Sequence, residues 1–265
     1  MFAAPGHIPC LCRQCRKVME KLTSRKNPLI AHLRLLGADR AYRRSCGEFL
    51  CDGVKLLREA LLWHAEITAV LWAETPDSSL EIHAPAYQVP RELLDYVSPL
   101  KSAAGVVFSV RIRAQQPAAP GRTLVLETIQ DPGNLGTILR TANALDMDTV
   151  ILTGDCADVY NPKTVRATMG AVFRQRFYEM PLDGLRDYLR AHGLRLYGAA
   201  LSDSAVSIRE LALEQAAVAI GSEGRGLSPE LLELCDGQLI IPMNPRCESL
   251  NAAVAAASVM WELTR

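Results

Sequence analysis

Apolar and polar positions change their period midway along this 265-residue chain, and the change divides it into two parts. In the C-terminal part, short apolar runs at 124–129, 149–152, 196–200, 216–220 and 238–241 read as strands. Between them, Leu135, Ile138, Leu139 and Ala142 share one helical face and predict a helix over 134–145. Asn161-Pro162 offers a cap and a first helical residue for a second helix over 161–172. A last helix is expected over 249–263. Strand and helix alternate, which predicts a parallel sheet covered by helices. The N-terminal part is mixed. Leu29, Leu33 and Leu36 have helical spacing, 48–51 reads as a strand, Asp52-Gly53 as a turn and 54–63 as a helix. Further strands are expected at 67–72 and 106–112, giving a small three-layer α/β domain.

Residues 115–121 carry two prolines and a glycine with little to bury, and read as a linker. The expected domains are therefore 19–114 and 122–265, after a tail over 1–18. Met19 would make a natural start, so the tail reads as an upstream extension or a misassigned start. Cys10, Cys12 and Cys15, with His7 nearby, lie in it. Their spacing is too short for a standard zinc finger and lacks a second cysteine pair, so no metal is expected.

Composition narrows the class. Nearly half of the chain is hydrophobic, enough for a core, and no long purely apolar run suggests a membrane helix. Residues 10–26 are polar and basic where a signal peptide would be apolar. A cytoplasmic protein with reduced thiols is expected. The net charge is zero, yet residues 1–60 hold twelve Lys/Arg against five Asp/Glu. A basic N-terminal part fits contact with phosphates.

Three segments carry candidate chemistry. Asp131 to Ala142 joins a strand to a helix; Gly133 and Gly136 keep the turn open, and Asn134 is a candidate cap. Gly136, Arg140 and Asn143 are spaced to lie opposite the apolar stripe. The second segment, Ile220-Gly221-Ser222-Glu223-Gly224-Arg225-Gly226, follows a buried strand, where α/β sheets place their ligands. The third runs from Ile241-Pro242-Met243 through Glu248-Ser249-Leu250-Asn251 into an alanine-rich helix. Its small side chains permit close backbone approach; alanine's helix propensity is the plain alternative. No G-x-G-x-x-G opens the first βα unit, which argues against a nicotinamide-dependent dehydrogenase.

In this order, the three segments resemble motifs one, two and three of the SpoU (TrmH) family of RNA ribose methyltransferases, in the SPOUT superfamily. The resemblance covers about the last 145 residues well and 27–61 more loosely. It implies an α/β fold with a deep trefoil knot, preceded by a small substrate-binding domain. It also implies a homodimer that binds S-adenosylmethionine and methylates a ribose 2′-hydroxyl of RNA, ribosomal RNA first and transfer RNA second. An inactive RNA-binding protein on the same scaffold is the alternative. Asn134, Arg140, Glu223, Ser249 and Asn251 match the family's active-site positions. Ala200, Gly221, Ile241, Ser249 and Leu250 match its cofactor contacts. Arg43, Arg44, Lys163 and Arg166 match basic positions expected to meet RNA. The family's arginine is usually assigned as the base, but a guanidinium stays protonated and offers no acceptor. Stabilising the developing alkoxide or orienting the adjacent phosphate fits it better.

Overall fold

The structure, a computed structural model, describes residues 19–99, 104–114, 121–202, 204–222, 224–244, 246–247 and 249–265. The cysteine cluster of the tail, nearly all of the expected linker, and Glu223 and Glu248 lie outside the described residues.

The N-terminal part runs β1 (Glu20–Lys21), α1 (Pro28–Ala38), α2 (Arg40–Cys46), β2 (Glu48–Asp52), α3 (Val54–Leu62), β3 (Ile67–Trp72), β4 (Ala86–Gln88), α4 (Arg91–Val97) and β5 (Val106–Arg111). Its sheet has the order β1-β4-β3-β5-β2, with β5 antiparallel to both neighbours. Asn27 caps α1 by accepting from Leu29 N at 2.9 Å, and Ile30, Leu33 and Leu36 are buried. The elements α2, β4 and α4 were not anticipated, because each is short and buries few side chains in a regular pattern.

The C-terminal part runs β6 (Thr123–Glu127), α5 (Pro132–Ala144), β7 (Thr149–Thr153), α6 (Pro162–Ala167), β8 (Phe177–Glu179), α7 (Leu182–His192), β9 (Arg195–Ala199), β10 (Val206–Ser207), β11 (Ala216–Ile220), α8 (Pro229–Leu234), β12 (Gly237–Ile240) and α9 (Ala252–Leu263). The sheet order is β10-β12-β9-β11-β6-β7-β8, and every pairing is parallel. The central strands β6, β7 and β11 are buried along their whole length, as both-face coverage requires. All carboxyl ends therefore open on one edge.

Two expected helices are shorter than their patterns suggest. The helix over 161–172 ends at Ala167. Met169 and Gly170 then take φ of +50° and +94°, and a single 3₁₀ turn follows at Ala171–Phe173. The last helix starts at Ala252, not at 249, because Asn251 caps it. The helix α7 was overlooked, although Leu185 and Leu189 carry the right spacing and are buried.

The two sheets share a continuous core in which the Phe49 ring lies 4.8 Å from the ring of Tyr160. Arg43 crosses the same junction. It is 3% exposed and donates from Nε and Nη2 to Asp158 Oδ2 at 2.9 and 2.6 Å, and from Nη1 to Leu36 O at 2.7 Å. The expectation that Arg43 meets RNA is therefore corrected: its donors are occupied inside the protein. Arg44 is half-exposed and paired with Glu179. The five described cysteines at 46, 51, 156, 235 and 247 are free thiols, and burial pushes Cys51 and Cys156 upward in pKa.

Arg43→Ala should destabilise the protein by about 3–5 kcal/mol, because it leaves the Asp158 carboxylate buried and unpaired. Arg44→Ala should cost less than about 1 kcal/mol, as expected of a solvent-screened pair. Urea unfolding of both variants measures the difference; equal losses would show that the junction does not depend on Arg43.

Candidate active site

The loop between β6 and α5 begins with Thr128 at φ +56°, an uncommon conformation for a β-branched residue. Asp131 then caps α5, accepting from Asn134 N at 2.7 Å, with Pro132 in the first turn. The cap is thus Asp131 and not Asn134. The Asn134 side chain faces the third segment instead, its Oδ1 accepting from Asn251 Nδ2 at 3.1 Å. Asn251 in turn caps α9, accepting from Ala253 N at 3.0 Å and Val254 N at 3.4 Å. The first and third segments, 117 residues apart, are joined side chain to side chain. Two helix N-termini converge there, and their dipoles favour negative charge.

Gly136 does not share a solvent-facing stripe with Arg140. A Cβ at Gly136 would lie 2.5 Å from Ala167 Cβ and 2.6 Å from Thr164 O, so the glycine lets α5 press against α6. Asn143 is half-buried and accepts from Arg174 Nε at 2.6 Å. Arg140 is exposed, with Gly133, Thr137 and Ala144 on the same stripe. It makes no ion pair among the described residues. It lies six positions after Asn134, which places the two about 120° apart around the helix.

Across the sheet edge from these residues lies a cleft of about 550 Å³ at the ends of β9, β11 and β12. Ala200, Gly221, Ile241, Ser249 and Leu250 all line it. Ile220 and Leu239 add apolar walls, Ser222 and Arg225 polar ones, and the small Ala252 and Ala255 leave room on the side of α9. Ser249 precedes Asn251, the cap of α9, by two residues.

The glycine loop has a more specific geometry than its composition suggested. A Cβ on Gly221 would lie 2.0 Å from Gly226 O, so this glycine is required by the loop's own closure. Ser222 and Gly226 bridge across the loop, Gly226 N donating to Ser222 O at 2.9 Å, and Gly226 takes φ +67°. Two residues that sequence reasoning missed hold the far end. Glu127, buried at the carboxyl end of β6, accepts from Ser228 N and Ser228 Oγ, both at 2.6 Å. Ser228 also caps α8, accepting from Leu231 N at 3.1 Å. An acidic residue ending an otherwise apolar strand was the available signal. Lys163 and Arg166 are exposed on α6.

Residues 121–261 match the model of the SpoU rRNA Methylase family. The chain belongs to this family. It is 31% identical to the 23S rRNA (guanosine(2553)-2′-O)-methyltransferase of Bacillus subtilis, over 92% of this chain and 99% of that one. An AdoMet-bound rRNA methyltransferase from Sinorhizobium meliloti superposes with a TM-score of 0.83 at 26% identity, covering 92% and 97% of the two chains. The SpoU methyltransferase AviRb from Streptomyces viridochromogenes superposes at 0.81 with 26% identity, covering 90% and 97%. The SpoU match begins just before β6, and both superpositions extend into the first sheet.

Gly221→Ala should lower affinity for S-adenosylmethionine, the ligand of the Sinorhizobium relative, at least about tenfold, because the loop must open by more than an ångström to admit the methyl group. Calorimetry measures the affinity. Wild-type binding would show that loop closure does not shape the cleft.

Proposed function

We infer that this protein transfers the methyl group of S-adenosylmethionine to a ribose 2′-hydroxyl of ribosomal RNA. One observation carries the reading. The five positions that match the family's cofactor contacts come from three separate segments and line a single cleft, next to the Asn134–Asn251 link. The cleft suits the cofactor in size and chemistry. Ile220, Leu239 and Ile241 offer an aliphatic surface for adenine, while Ser222 and Arg225 offer polar groups at the rim. When bound, the cofactor supplies an electrophilic methyl on a sulfonium centre.

The chain's own contribution is electrostatic and positional. Negative charge develops on the ribose oxygen as its proton leaves. The converging N-termini of α5 and α9 favour such charge, and Arg140 is free to add a cation. A guanidinium has no lone pair to take the proton, so Arg140 acts on charge or on the neighbouring phosphate. Asn134, Ser249 and Asn251 hold the reacting groups in this reading, and the family resemblance adds Glu223 to them. Lys163 and Arg166 contact RNA phosphates. The reading assigns residues 19–114 to substrate binding and 122–265 to a knotted catalytic domain. The packing of α9 on α5 and β11, after the chain has reached β12, supports a threaded C-terminal segment. Among the described residues no helix is long and apolar enough to cross a membrane, and the reading places the protein in the cytoplasm.

Transfer of labelled methyl groups to deproteinised 23S, 16S and transfer RNA, followed by mapping of 2′-O-methyl sites, tests the activity and the RNA class together. Methylation confined to bases, or to no RNA, would overturn it. Arg140→Ala should reduce turnover by about 10²–10³-fold while the affinity for S-adenosylmethionine stays unchanged. Arg140→Lys should restore part of the rate if a point charge suffices, and none if a planar fork is needed. Near-normal turnover of the alanine variant at saturating substrates removes Arg140 from the mechanism.

The homodimer forms through the C-terminal part in this reading. On α9, Val254 and Trp261 are seven residues apart and both exposed, 52% and 62%. That gives an apolar stripe on a helix whose other face fills the core. Trp261→Glu should therefore yield monomers in sedimentation at micromolar concentration. A variant that stays dimeric moves the interface elsewhere.

A further inference from the structure

We propose that the seam between the two sheets, running from Arg140 along Asn143 and Arg174 to Trp63, docks an unpaired nucleotide of the RNA substrate, with the Trp63 indole as its stacking platform. The inference rests on the RNA-methyltransferase reading and adds where, and in what state, the RNA is held. Trp63 stands at the end of α3, 44% exposed, although Leu56, Leu57 and Ala60 of the same helix are buried. Leu62 and Met169, at 67% and 45%, extend the apolar surface beside it.

The chain at the end of α3 is held in place, the Trp63 and His64 backbone carbonyls accepting from the Arg113 guanidinium. The Arg174 guanidinium carbon lies 5.5 Å from the Trp63 ring centroid. Arg174 is itself fixed, donating to Asn143 Oδ1 on α5, to Glu59 on α3 and to Gly170 O after α6. One cation thus ties the Trp63 platform to the helix that carries Arg140, and Arg140 lies one turn before Asn143.

The surroundings fit RNA better than protein. Arg140, Lys163 and Arg166 are exposed, and the carboxylate on the seam, Glu59, is already paired with Arg174. An exposed aromatic among guanidinium groups suits an unstacked base flanked by phosphates. A second copy of the chain would bring like charges together here. A duplex keeps its bases stacked on each other and cannot use the indole.

The test uses the full chain with a single-stranded RNA dodecamer and a blunt RNA duplex of equal length. Trp63→Ala should weaken single-strand binding about tenfold, with the duplex unaffected. It should leave the slope of affinity against salt unchanged, because no charge is removed. Trp63→Phe should keep most of the affinity. Arg166→Ala should instead reduce the salt slope by about 0.7, the loss of one phosphate contact. The unfolding midpoint and S-adenosylmethionine affinity of Trp63→Ala should match wild type. The proposal is overturned by wild-type RNA affinity in Trp63→Ala, by a loss that follows a lowered unfolding midpoint, or by a changed sedimentation coefficient, which would assign the seam to a second copy. Wild-type protein that methylates no RNA overturns the enzyme reading. Active wild type with unchanged Trp63→Ala binding overturns the seam alone.

Discussion

A single buried carboxylate holds the working edge of this molecule together. Glu127 ends the central strand β6, and both of its oxygens accept from Ser228, at the far end of the glycine loop. That brace acts with the Ser228 cap of α8 and the buried Leu227 to fix the far end of the loop. Loops acquire a definite shape when a rigid scaffold fixes both ends. Here the scaffold is the pair β6 and β11, hydrogen-bonded side by side. The same strand end leads through the positive φ of Thr128 into the Asp131 cap of α5. The cleft wall and the helix carrying Arg140 are thus both referenced to one strand.

Two asparagines complete the arrangement. Asn251 uses its carbonyl oxygen to cap α9 and its amide nitrogen to reach Asn134. Asn134 is available because Asp131 has already taken the capping position. This division of labour sets the two helix N-termini beside each other. A carboxylate at position 251 could cap equally well but could not donate to Asn134, which explains the choice of an amide.

The junction between the sheets uses Arg43 and Arg44, which the sequence had suggested were for RNA, together with Arg174. Arg43 is spent on Asp158, Arg44 on Glu179 and Arg174 on Glu59. The positive excess of the first sixty residues is therefore partly a structural resource. Arg140 and Arg166, on the C-terminal side of the junction, are exposed and make no ion pair among the described residues.

The sequence by itself determined the class and five of the second sheet's seven strands, because buried parallel strands are written as continuous apolar runs; β8 and β10, three and two residues long, carry too little pattern to be read. It also singled out three segments, since their asparagine, glycine and arginine at those spacings match a family pattern. It could not separate capping from contact. Asp131, Asn134, Ser249 and Asn251 are all good caps, and only the folded chain assigns the caps to Asp131 and Asn251. It could not tell a surface arginine from a buried one, because Arg43 and Arg44 are adjacent in sequence and differ only in what faces them. It could not announce Glu127 and Ser228, whose pairing spans 101 residues. Each of these facts depends on which distant groups are brought into hydrogen-bonding range. Local periodicity carries no record of that, so the tertiary structure alone decided it.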